Sequence, residues 1–101
     1  MYGKINSDKR KQMLAQISWD AKFDLDELEL LLQGEIKSVD YLTRVRLFQR
    51  IAESFSWYAI LEMLTLVELK FLLQNEIISG LRSVALRKQY FYVQQRLQQH
   101  I

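Results

Sequence analysis

Apolar residues recur along this chain at spacings of three and four, and polar residues between the runs mark where each begins and ends. The sharpest run is FDLDELELLLQGEI, Phe23–Ile36, and it occurs again 41 residues later as LTLVELKFLLQNEI, Leu64–Ile77. Leu25/Leu66, Glu27/Glu68, Leu28/Leu69, Leu31/Leu72, Leu32/Leu73, Gln33/Gln74, Glu35/Glu76 and Ile36/Ile77 are identical. Asp24 and Thr65 are N-cap residues, each followed three positions later by Glu27 or Glu68, which predicts a reciprocal capping box in each copy. Phe23 with Leu28, and Leu64 with Leu69, have the spacing of a hydrophobic staple. Gly34 and Asn75 stand where a short helix ends in the left-handed conformation. Each copy therefore reads as one short, doubly capped helix.

The rest of the chain follows the same logic. Residues 1–6 read as loose and disordered, and Ser7 with Asp8 caps a first helix running to about Ser18. Met13, Leu14 and Ile17 share one face of it. The Lys9-Arg10-Lys11 run opposes the helix dipole. Trp19–Lys22 reads as a connector. Ser38 is the next cap, before Tyr41, Leu42, Val45, Phe48, Ile51, Ala52 and Phe55 on one face, with Arg44, Arg46, Gln49, Arg50 and Glu53 opposite. Ser56 opens a shorter helix that buries Trp57, Ile60, Leu61 and Leu64. The second repeated helix spans about Leu66–Gln74, a turn around Ile77–Ser83 holds Gly80, and Ser83 caps a final helix. Leu86, Tyr90, Val93 and Leu97 form one stripe along that helix.

The expectation is an all-α fold: one domain over 1–101, a compact bundle of about six helices built on a duplicated short-helix/long-helix unit. The copies span about 23–54 and 64–99. Half of the residues are hydrophobic, and three Gly with no Pro argue against disorder and against a turn-rich β fold. Two units are too few for an open solenoid, so the halves are expected to pack on each other.

Charge adds a second pattern. The net charge is only +2, yet the repeated helices are acidic and the segments after them basic, which predicts electrostatic complementarity between neighbours. The absence of cysteine fits a reducing cytoplasm and removes thiolate metal sites. The N-terminus lacks an apolar signal core, and Glu62, Glu68 and Lys70 interrupt the most apolar stretch, so no membrane span is expected.

Chemistry is sparse. His100 is the sole histidine, so neither a His-based metal site nor a Ser-His pair is expected. Asp24, Asp26, Glu27 and Glu29 lack the pattern of a calcium loop and read as capping and dipole compensation. No Gly-rich phosphate loop is present. The chain is thus expected to be non-enzymatic, with no cofactor and no small-molecule substrate. Two features suggest binding. Trp19, Trp57, Tyr58, Phe71, Phe91 and Tyr92 exceed what one buried stripe per helix accommodates, which points to a protein partner or homo-oligomer bound through Trp19, Trp57, Tyr58, Phe91 and Tyr92. Arg82, Arg87, Lys88 and Arg96 on the aromatic C-terminal segment give the alternative of nucleic-acid binding.

Two resemblances accompany this reading. Trp19-Asp20, LFQRIAESFSWYAILEML and LRSVALRKQYFYVQQRL together resemble small helical bacterial proteins that accompany nucleotidyltransferase-type toxins. That resemblance implies an antitoxin-like or regulatory accessory role. DYLTRVRLFQRI, Asp40–Ile51, is similar to the opening helix of the Hha/YmoA nucleoid-associated modulators, which implies the nucleic-acid alternative. Their Ala-Asp-His-Arg motif is replaced here by NEIISGLRS.

Overall fold

The computed structural model describes residues 7–17 and 23–99. They form seven helices and one two-residue hairpin: α1 (Ser7–Ile17), α2 (Leu25–Gln33), β1 (Ser38–Val39), β2 (Leu42–Thr43), α3 (Arg44–Ser54), α4 (Trp57–Met63), α5 (Leu66–Leu72), α6 (Asn75–Ile78) and α7 (Val84–Gln99). The all-α reading holds. Among the described residues no helix is long and apolar enough to cross a membrane.

Local sequence explains most boundaries. Thr65 and Glu68 form the expected capping box: the Glu68 N–H donates to Thr65 Oγ1 at 3.2 Å, and the Thr65 N–H donates to Glu68 Oε1 at 2.9 Å. Asp24 caps α2 differently, accepting from the Asp26 N–H at 2.8 Å. Gly34 adopts φ 84°, and the Glu35 and Gly34 amides close a Schellman motif on Leu30 and Leu31. Ser56 and Ser83 cap α4 and α7 by accepting from the amides of Ala59 and Leu86.

Two boundaries differ from expectation. Ser38 does not open a helix. It pairs with Thr43 across an antiparallel hairpin whose turn residue Asp40 takes φ 53°, and Tyr41 projects outward at 72 % exposure instead of joining the buried face. Thr43 caps α3 instead, accepting from the Arg46 N–H, with Leu42 and Leu47 buried as its staple. A cap backed by a staple outcompetes a bare one. Asn75 likewise is not left-handed: α5 ends at Leu72, and Asn75 opens α6, which places Ile77 and Ile78 in the core. The two copies thus share a helix start and diverge at its end.

α3 is the centre of the molecule. It packs against α1, α2, α4, α5 and α6, and α7 lies on α6. Leu47, Phe48 and Ile51 are fully buried, Phe48 standing edge-on to Phe71 at 4.9 Å. Gln49, expected on the solvated side, is also buried, and its Nε2 donates to the Ile77 carbonyl at 3.3 Å. Arg44 is half-buried. It donates to the Leu32 carbonyl at the end of α2, and its guanidinium lies 4.0 Å from the Phe71 ring centroid.

The expected complementarity exists, but the cationic partner is α1. Lys9 pairs with Glu62 and Lys11 with Asp26 at the surface. Between them Arg10 is 4 % exposed and forks onto Glu68, itself 5 % exposed, through two 2.7 Å hydrogen bonds. Its Nη2 also lies 2.8 Å from Glu29, and Nη1 donates to the Met63 carbonyl at 3.3 Å. One guanidinium thereby joins α1 to α2, α4 and α5. The paired position in the other copy, Glu27, is exposed.

Candidate functional site

The stripe on α7 is only partly covered. Tyr90 is buried and meets Trp57 edge-on at 5.8 Å, which fixes the distance between α4 and α7 at that level. Burial pushes the Tyr90 phenol up to about 12 by disfavouring its charged form. Leu86 and Val93, one turn either side of Tyr90, are only half-buried, and Leu97 at the far end of the stripe is 37 % exposed. They leave an open groove of about 270 Å³ lined by Phe55, Trp57, Leu86, Tyr90 and Val93, with Ser56 and Gln89 at its polar margin.

The groove collects one of the expected partner-binding aromatics. Trp57 lines it. Tyr58 does not, and is 80 % exposed next to it in the chain. Phe91 is half-buried against the core, and Tyr92 is 61 % exposed with the Arg96 guanidinium 5.9 Å from its ring. Trp19 lies outside the described residues. Leu86, Tyr90 and Val93 read from sequence as part of one apolar stripe, and their role at the groove is what that reading missed. The signal was present: an apolar stripe of about three turns on a helix that follows an already complete set of core helices.

The cations of the C-terminal segment do not share one face. Arg87 folds back to donate to the carbonyls of Leu81 and Arg82. Lys88 and Arg96 stay exposed on α7. Arg82 instead joins Arg46 and Arg50 of α3 around a second, polar pocket of about 60 Å³. Among the described residues no group of three or more His, Cys, Asp or Glu is placed to hold a metal ion. His100 lies outside them. No protein-family model, curated protein or solved structure matches this chain.

Proposed function

We propose that this protein is a non-enzymatic interaction module that receives an amphipathic helix of a partner protein in the groove between α4 and α7. The groove itself carries the reading. At about 270 Å³ it falls just below the range of roughly 300–1,000 Å³ typical of small-molecule sites, and its lining is mostly apolar. It suits about one or two apolar anchor side chains better than a cofactor. Leu86, Tyr90 and Val93 recur at helical spacing, the complement of a helix presenting anchors at i, i+3 or i+4, and i+7.

Charge selects the kind of helix. No Asp or Glu occurs between Val84 and Gln99. Arg96 lies seven residues beyond Gln89, within about 20° of its azimuth, so it continues the polar margin of the groove with positive charge. A partner helix with acidic residues flanking its apolar anchors is therefore favoured. An antitoxin-like or regulatory accessory role, as the first resemblance implies, would use such a surface.

A photo-crosslinker placed at Gln89 in the native host tests this. The expected product is a single partner protein, crosslinked through an acid-flanked amphipathic helix. With purified components, Val93→Glu should weaken binding at least tenfold while circular dichroism shows an unchanged fold. A crosslink only to a second copy would overturn the heterologous partner in favour of a homodimer. Unchanged binding by a folded Val93→Glu variant would overturn the groove.

A further inference from the structure

The second pocket has a composition that the groove does not explain. Arg46 and Arg50 lie one turn apart on α3, and Arg82 approaches from the turn before α7; Gln49, Glu53 and Gly80 complete the lining. Among the described residues none of the three arginines forms an ion pair. Like charges at i and i+4 on a helix repel, so Arg46 and Arg50 side by side oppose stability. Glu53, the one carboxylate in the lining, offsets a single one of the three positive charges. Glu53 Oε2 accepts from the Arg82 backbone N–H at 2.8 Å, which anchors the turn and leaves the Arg82 guanidinium uncommitted.

The floor of the pocket is built with little tolerance. Gln49 is buried beneath it and held by its bond to the Ile77 carbonyl. A Cβ at Gly80 would stand 2.1 Å from Gln49 Nε2, so a side chain there would push the Gln49 amide away from the Ile77 carbonyl. The close approach of this turn to α3 is what brings Arg82 to the two arginines of that helix. At about 60 Å³ the pocket is several times the ~10–15 Å³ that admits one water, which leaves room for a small tetrahedral oxyanion but not for a nucleobase.

We infer that Arg46, Arg50 and Arg82 form a binding site for a single phosphoryl group, carried by a ligand whose remainder stays outside the pocket. Guanidinium groups suit this role because their planar forks match phosphate oxygens in a bidentate manner. The shared chemistry is the phosphoryl oxygens; their source is either a phosphate monoester or the diester backbone of a nucleic acid. The site is separate from the apolar groove and does not depend on it.

The test is an NMR titration of the full chain, following the arginine Nε–Hε resonances at constant ionic strength set with chloride. Inorganic phosphate should shift Arg46, Arg50 and Arg82 along one saturating curve. The double variant Arg46→Gln/Arg50→Gln should lose at least tenfold in affinity with a melting temperature no lower than the parent's, whereas Lys70→Gln/Lys88→Gln should bind as the parent does. Parallel titrations with AMP and with a short single-stranded oligonucleotide separate the sources: tighter binding of AMP assigns the monoester, and tighter binding of the oligonucleotide that still needs Arg46 and Arg50 assigns the diester. Shifts that grow linearly and spread over all arginines, or equal binding by the Arg46→Gln/Arg50→Gln variant, would overturn the site.

Discussion

Replacing Arg10 by Met should destabilise the protein by about 3–5 kcal/mol, the cost of removing one partner from a buried ion pair. Both partners are almost fully buried. Met retains most of the apolar stem of Arg10, so lost packing contributes little. What remains is the Glu68 carboxylate, enclosed, with the Thr65 N–H as its one remaining donor among the described residues. Glu29, more exposed, can turn to solvent, which keeps the loss from exceeding this range. With an m-value of about 1–3 kcal/mol/M in urea, a loss of about 3 kcal/mol lowers the midpoint by about 1–3 M. The decisive comparison is the double variant Arg10→Met/Glu68→Leu. It removes both charges together with Arg10 Nε, a buried donor that has no partner, and should recover more than half of the loss. The recovery is incomplete because Glu68 also closes the capping box on Thr65. A single variant that loses less than about 1 kcal/mol, or a double variant whose loss equals the sum of the two singles, would refute the reasoning.

Two further outcomes follow from the caps and from α7. Thr65→Ala should cost about 1 kcal/mol and Asp24→Ala less in thermal melts, because Thr65 holds a reciprocal box whose Glu68 also engages Arg10, whereas Asp24 accepts one bond near the start of the chain. Burial raises the folded-state pKa of Tyr90 from 10 to about 12, so the folded state holds the extra proton and stability is lost as pH rises between those values. Urea midpoints measured from pH 9 to 12 should fall, and Tyr90→Phe should flatten that fall.

Caps were legible because they are written within four residues. Thr65, Ser56, Ser83 and Gly34 perform their expected roles. Ser38 and Asn75 do not, since each choice depended on a competitor: the Leu42/Leu47 staple around Thr43 in one case, and burial of Ile77 and Ile78 in the other. The Arg10 clasp was hidden by distance, with 58 residues separating it from Glu68. Its trace in the sequence is positional: Arg10 shares the stripe of Met13, Leu14 and Ile17, so an arginine occupies an apolar register. Gln49 beside Phe48 and Ala52 carries the same mark. The groove was half legible, through Trp57 and the α7 stripe. The arginine pocket was not, because it assembles two cations of one helix with a third more than thirty positions away.

The position of Arg10 gives the duplicated sequence a particular dependence. Glu29 belongs to the first copy and Glu68 to the second, and both carboxylates approach the same nitrogen. The two units carry like charge where they converge, and neither contains the cation that holds them there. A chain cut back to Phe23 would keep both copies entire yet leave Glu29 and Glu68 facing each other without the Arg10 guanidinium between them. The opening helix is thus an internal counter-ion, supplied to both copies from outside the doubled sequence.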